Sequence, residues 1–198
     1  VVWSFIFYCI ILTIINKRFT LFKPDSKKQF LVLALAALLL FGNWAVYIYA
    51  VNSSQIVESS LGYFINPLFN IVLGVWFLKE RLKKNEIIAT MLSVLGVVII
   101  TFSQQKLPII ALFLAITFSF YGFIKKRTTV SSLNSNQFES LLMVPAAIVI
   151  LALQPWDWIH GDKVTLTSIL LFGAGVVTGL PLLFFSAAAK RLPFYLIG

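Results

Sequence analysis

The groups best suited to handling a solute or a proton cluster in the stretch Ile56–Asn70. At 100° per residue, Glu58, Ser59, Gly62, Tyr63, Asn66 and Asn70 fall within one helical arc of about 140°. Val57, Leu61, Phe64, Leu68 and Val75 take the opposite side. A span that met only lipid would not segregate its polar groups, so the arc is predicted to face a cavity or neighbouring helices. Glu58 is a carboxyl group in an apolar segment, which is costly and marks a functional position. Loss of water and a nearby helix N-terminus act on it in opposite senses, a balance suited to taking up and releasing a proton. The alternative is an interfacial Glu wetted by headgroup water. With Asn52 as helix cap and Gln55 at the third position, Glu58 is predicted about 9 Å further along, at 1.5 Å per residue.

Pro67 falls mid-span and has no N–H to give the Tyr63 carbonyl. Such breaks are tolerated where a neighbouring helix or a water-lined cavity satisfies the backbone. Asn66 and Asn70, four residues apart, are candidate substrate ligands, with interhelical hydrogen bonding as the alternative. In the preceding apolar block Asn43 and Tyr47 share a face, and Trp44 offers an amphipathic surface suited to a mixed solute. Tyr47 and Tyr49 also approach the outer interface, where aromatic belts are ordinary. The substrate-binding candidates are therefore Asn43, Trp44, Tyr63, Asn66 and Asn70. Glu58 and Glu139 are the candidates for proton or cation coupling. Glu139 opens a later apolar block beside Gln137 and Ser140, and its place in the first turns of a helix also fits dipole stabilisation.

Pro181 repeats the mid-span break of Pro67, just beyond Gly175 and Gly179, whose spacing permits close helix packing. The segment Asp157–Asp162 holds His160 between carboxylates, but the spacing matches no zinc pattern and reads as a solvated extracytoplasmic loop. A single cysteine, Cys9, allows neither an intramolecular disulfide nor a Cys-type metal cluster. The chain carries no phosphate loop, no H-E-x-x-H and no G-x-S-x-G. The reading therefore assigns no cofactor and no metal, and enzymatic chemistry has no visible seat.

These residues need membrane-spanning elements to hold them. Of the 198 residues 60% are apolar and 12% charged, against about 45–50% and about 25% in soluble domains. The apolar residues come in seven blocks, Val1–Ile15, Phe30–Val51, Ile56–Leu78, Ile87–Ser103, Pro108–Ile124, Gln137–Leu153 and Thr167–Ala189, and an eighth begins at Leu192. Six reach the roughly 17–25 residues that a span requires. The first block opens the chain and the last closes it, so the expectation is an internal fragment of a longer polytopic protein. The net charge of +9 is spread between the blocks rather than in a nucleic-acid patch. Alternate loops carry fourteen of the 16 basic residues on one side and two on the other. The positive-inside rule puts the rich side in the cytoplasm. Shifting the chain by 136 residues aligns Phe30–Gly62 with Leu166–Gly198, in opposite predicted orientations, the pattern of an inverted repeat common in secondary transporters.

Several phrases resemble a known family. Gly42-Asn43-Trp44, Ala50-Val51-Asn52, Glu58 through Leu68 and Phe77-Leu78-Lys79-Glu80-Arg81 are similar to the RarD-type EamA permeases of the drug/metabolite transporter superfamily. Pro108–Ala111, Ser119–Gly122 with Lys125-Lys126, and Thr178–Leu182 with Ala187–Ala189 and Arg191-Leu192 follow in the family's order. The run Leu61–Pro67 is the most specific. The resemblance implies an all-α integral membrane protein, a polytopic helix bundle with an inverted 5+5 repeat in the full-length protein. Here it would supply seven spans and the start of an eighth. Residues 1–103 would form most of the first EamA-type half and residues 108–198 part of the second. The implied setting is the bacterial inner membrane, with the basic loops cytoplasmic.

The leading function is then a secondary transporter of a small metabolite or drug, such as an amino acid or a chloramphenicol-like amphipathic solute, working by alternating access. Its partners are that solute and the lipid bilayer, with no nucleic acid; the sequence assigns no oligomeric state. One alternative is a non-transporting scaffold subunit, which a solid bundle without a cavity favours. The other is an integral membrane enzyme acting on a lipid-linked substrate, which needs a cluster of acids, His or metal ligands that the scattered Glu58 and Glu139 do not supply.

Overall fold

The computed structural model describes residues 1–103, 107–153 and 164–197, with backbone alone for 164–168. The elements are α1 (Val2–Asn16), α2 (Lys27–Asn52), α3 (Ile56–Leu78), α4 (Lys84–Ser103), α5 (Ile109–Arg127), α6 (Ser132–Leu153) and α7 (Val164–Arg191), followed by a 3₁₀ turn at Phe194–Leu196. No strand forms among the described residues. Six helices, α2 to α7, contain segments long and apolar enough to cross a membrane, and α1 is a shorter apolar helix of 15 residues. The chain is an all-α polytopic membrane protein, as expected. The segment after Leu192, expected to open a further span, forms the 3₁₀ turn behind Pro193.

Helix starts follow local capping chemistry more than hydropathy. Before α2, Ser26 Oγ accepts the Gln29 N–H at 3.2 Å, and the Gln29 side chain accepts the Asp25 N–H at 2.6 Å. At α4 the Glu86 carboxylate reaches back to the Lys83 N–H at 2.6 Å. Ser131 Oγ takes the Asn134 N–H at 3.2 Å, so α6 begins at Ser132, five residues before the apolar block. The expected Asn52 cap is not formed. Asn52 ends α2, Ser54 turns the chain with φ 60°, and α3 starts after Gln55 without a side-chain cap. Glu58 is consequently the third residue of α3. Lys79 ends that helix in the left-handed region, φ 59°, and the Glu80 N–H reaches the Gly74 carbonyl at 3.0 Å.

The helices gather into two compact units, residues 1–37 with 128–187 and residues 38–127 with 188–198. Each unit draws on both sides of the α4–α5 link. In the first, α1 packs on α6, and α7 approaches α1 through Gly175 and Gly179. Leu33, Val130 and Phe138 form a buried cluster there, with the Phe30 ring edge-on to Phe138 at 5.9 Å. In the second unit α3 packs along α5 through Leu61, Ile65, Ala111 and Ala115, and Gly62 lets the Ala111 carbonyl come close. Leu61, placed by the helical wheel on the lipid side, is buried in this core. The packed face of α3 is wider than its polar arc because α5 covers apolar neighbours on one flank. Helix α4 packs on α3 and buries none of its own residues.

Candidate functional site

In the second unit the polar arc of α3 is turned onto α5. Asn66 Nδ2 donates to the Ala115 carbonyl at 3.2 Å and to Ser119 Oγ at 2.8 Å. Ser119 returns its hydroxyl to the Asn66 carbonyl at 3.3 Å, immediately before Pro67. One helix over, Asn43 Nδ2 donates to the Leu114 carbonyl at 2.8 Å and to Thr117 Oγ1 at 2.9 Å. At the start of α5 the Ile110 N–H donates to Glu58 Oε1 at 3.2 Å. That N–H is among the four that a helix leaves without internal partners, and a carboxylate is the acceptor its dipole favours. Glu58 thereby lies between the first turns of two helices, half-buried.

The remaining candidates are placed differently. Asn70 is fully buried and donates to Asn66 Oδ1 at 3.3 Å. Tyr63, at the edge of the arc, is 66% exposed and meets Tyr47 edge-on at 6.1 Å. Trp44 is half-buried beside Asn43 in sequence. Pro67 is the twelfth of the 23 residues of α3, and the helix runs on through it, so the break expected there is only a missing N–H at the helix centre, between Asn66 and Asn70.

Glu139 and Pro181 belong to the first unit. Glu139 is 1% exposed and is the eighth residue of α6, two turns inside the helix. Dipole stabilisation at a helix start therefore does not describe it, because the effect fades beyond the first turn. Around it the head of α6 is polar and buried. Asn136 Nδ2 donates to the Tyr8 hydroxyl at 3.4 Å, Tyr8 donates to the Gly179 carbonyl at 2.8 Å, and Ser186 Oγ donates to Asn136 Oδ1 at 3.0 Å. Gln137 holds Cys9 Sγ at 3.3 Å and the Thr20 carbonyl at 3.0 Å, and accepts the Phe22 N–H at 3.0 Å. The Gly179 carbonyl that Tyr8 reaches lies just before Pro181 in α7. Tyr8, Asn136 and Ser186 escaped the sequence reading. The signal that could have found Asn136 is its spacing from Glu139, with which it shares a helix face once α6 is extended to Ser132.

A second missed cluster closes the basic end of the second unit. Glu80 accepts the Phe194 N–H on both carboxylate oxygens at 2.8 Å and the Tyr195 N–H at 3.1 Å. Lys126 Nζ stands 3.6 Å from Glu80 and donates to the Leu192 carbonyl at 2.6 Å. No group of three His, Cys, Asp or Glu side chains that could hold a metal gathers among the described residues, and Asp157, His160 and Asp162 lie outside them.

The profile of the EamA-like transporter family matches residues 1–102. Over its whole length the chain is 40% identical to the "Uncharacterized transporter YojE" of Bacillus subtilis strain 168, and to "Protein RarD" of Escherichia coli K12, covering 68% of each relative. The chain belongs to the EamA-like transporter family. It is a multi-pass membrane transporter of RarD type and not an enzyme. The "Chloramphenicol-sensitive protein RarD" of Pseudomonas aeruginosa is more distant, 27% identical over 83% of this chain and 55% of that protein. No solved structure matches the chain. Within this EamA-type protein, the phrase Leu61–Pro67 that resembles RarD is the part of α3 laid against α5, and the phrase Phe77–Arg81 supplies, in Glu80, the carboxylate at the basic end.

Proposed function

We propose that this chain forms part of a secondary transporter that moves a small amphipathic metabolite or drug by alternating access. The observation that carries the reading is α3, an apolar span with its polar side chains on one face and Pro67 at its centre. In secondary transporters, backbone groups released from the helical ladder help to form solute and ion sites, and the Tyr63 carbonyl, which Pro67 leaves without an N–H, is such a group. Asn70 beside Pro67 is the leading substrate ligand, Asn66 joins it by ordering its amide, and Asn43 on the adjoining helix, with Trp44 and Tyr63 as aromatic borders, completes the candidate set. The printed name of the Pseudomonas relative supports an amphipathic, drug-like solute, and amino acids remain in the same size class.

Glu58 is the proposed coupling group. Ionised, it holds the Ile110 N–H at the start of α5 with a charge-assisted bond. Protonated, it becomes a weaker acceptor, so proton binding loosens α3 from α5. Glu139, buried two turns into α6, is the second coupling candidate. The proposal extends to an inverted repeat split between residues 1–103 and 108–198, to the bacterial inner membrane, and to basic loops on the cytoplasmic side. Full-length protein in liposomes, assayed by counterflow with amino acids, aromatic metabolites and chloramphenicol, tests it. Saturable exchange of one solute class is expected; absence of exchange from inserted, folded protein overturns the choice of solutes.

A further inference from the structure

The amides on either side of Pro67 leave one oxygen over. Asn66 Nδ2 faces the Ala115 carbonyl, which can only accept, so the orientation of the Asn66 amide is determined by its neighbour. Its Oδ1 must then be the atom toward Asn70, and Asn70 must present Nδ2 to it. Asn70 Oδ1 is what remains. It is buried and has no hydrogen-bond partner among the described residues. A flip of Asn70 would not relieve it, because two carbonyl oxygens would then face each other. Leaving a buried carbonyl without a donor is costly, more so in a span surrounded by lipid, so the position is expected to serve a ligand.

The backbone supplies a second acceptor nearby. Pro67 has no N–H for the Tyr63 carbonyl. Tyr63 and Asn70 are seven residues apart, close to two turns, and share a side of the helix. Helix carbonyls point toward the C-terminus and side chains lean toward the N-terminus, so both oxygens are directed into the stretch around Pro67 on that side. Both are neutral acceptors, and the carboxylate of Glu58 lies about three turns from Asn70 and between one and two turns from Tyr63. A pair of neutral oxygens calls for a group rich in donors.

We propose that Asn70 Oδ1 and the Tyr63 carbonyl form the subsite for an N–H donor of the transported solute, an amine or ammonium group. The proposal rests on the reading of α3 as a wall of the solute path. It restricts the solute class: the carried molecule presents N–H, and a compound of equal charge and shape without N–H is a poor substrate. Asn66 is a positioning residue, since its own donors are spent on α5 and its Oδ1 holds Asn70 in place.

The test uses full-length protein in liposomes and two matched pairs: phenylalanine with its N-trimethyl betaine, and phenethylamine with its trimethylammonium analogue. Each pair keeps the positive charge at nitrogen and removes every N–H. The expected wild-type result is a KM at least about tenfold lower for the N–H member, the usual scale for a lost bond to a buried partner. Asn70→Leu should bring the two within about twofold, a ratio insensitive to how much protein inserts. Should Asn70→Leu fail to insert, Asn70→Thr keeps a small polar side chain, removes Oδ1 and should give the same collapse. Equal KM values in the wild type, or a preference that survives the Asn70 variants, overturns the assignment and leaves the oxygen to an ordered water. Exchange of chloramphenicol without exchange of any of the four amines or ammonium salts also overturns it, while the transporter reading stands. Absence of exchange with every solute, from inserted and folded protein, overturns the subsite together with the choice of solutes.

Discussion

Lys126 Nζ stands 3.6 Å from Glu80 Oε1, and each of the pair also holds the backbone that follows α7. Glu80 takes the N–H groups of Phe194 and Tyr195, which open the 3₁₀ turn, and Lys126 takes the carbonyls of Leu192 and, at 3.5 Å, Ala189. Donors and acceptors that a helix end and a helix start leave unpaired are thus answered by one acid and one base. The acid comes from the end of α3 and the base from the end of α5, so the pair ties both to the chain after α7. Gly74 makes the fit: a Cβ there would meet Glu80 Oε2 at 2.7 Å.

Removing the acid should therefore cost more than a surface ion pair. Glu80→Ala leaves two backbone N–H groups without acceptors and Lys126 without its counter-charge, and should cost about 2–4 kcal/mol. Glu80→Gln keeps one acceptor oxygen but no charge, and should cost about half as much. Denaturant unfolding of the full-length protein in micelles measures both. A loss for Glu80→Ala no larger than the few tenths seen for exposed pairs would mean that the carboxylate is only a surface partner.

Much of the fold could be read from the chain, and the failures have a common cause. The limits of α3, Ile56–Leu78, coincide with an apolar block because lipid outside and α5 inside both select apolar residues over most of its length. The head of α6 was missed because Ser132–Asn136 is polar, and polarity reads as a loop when lipid is assumed to be the only surrounding. Ser135 and Asn136 are buried by protein, with Asn136 held by Tyr8 and Ser186 from positions far along the chain. Glu80 escaped for a related reason. Charge counting assigns its loop a side of the membrane, but its partner Phe194 lies 114 residues away, beyond any local pattern. The polar arc of α3 was legible; that Asn66, and Asn43 on α2, bond to α5 depended on the matching Ser119 and Thr117, which periodicity alone does not pair with them.

The glycines of α7 give a paired test of close packing. A Cβ on Gly175 would collide with Trp3 Cβ and come within 2.7 Å of the Trp3 carbonyl carbon, so backbone must move. Gly175→Ala should cost about 1–3 kcal/mol from overpacking. Gly173, two residues earlier, has nothing within 4 Å of such a Cβ. Gly173→Ala should be neutral or stabilising by up to about 1 kcal/mol, since alanine is the better helix former. Equal thermal stability of the two variants in micelles would show that α1 does not depend on close approach at Gly175.

The asparagine ties to α5 are expected to be weaker than their geometry suggests. Asn43 bonds to Leu114 and Thr117, but hydrogen bonds between helices in membranes contribute about 0.6 kcal/mol on average and about 1.7 at most. Asn43→Leu should stay within that range, and Asn66→Leu near its upper end, because Asn66 also holds Asn70. Reversible unfolding of each variant checks the order. Asn43→Leu costing more than Asn66→Leu would place the main α5 tie on α2 instead of α3.

Glu58 separates holding from coupling in a single substitution. Glu58→Gln retains an oxygen for the Ile110 N–H and removes the negative charge at the start of α5, so stability should fall by about 0.3–1 kcal/mol and the protein should insert. Glutamine neither gains nor loses a proton in the working range. Counterflow needs no net proton movement, and it should survive the change. Uphill accumulation driven by a pH gradient does need it, and should fall to the level of protein-free liposomes. Loss of both activities from well-folded protein would mark Glu58 as a structural brace between α3 and α5. Retention of both would leave Glu139, the buried carboxyl group of α6, as the residue to substitute next.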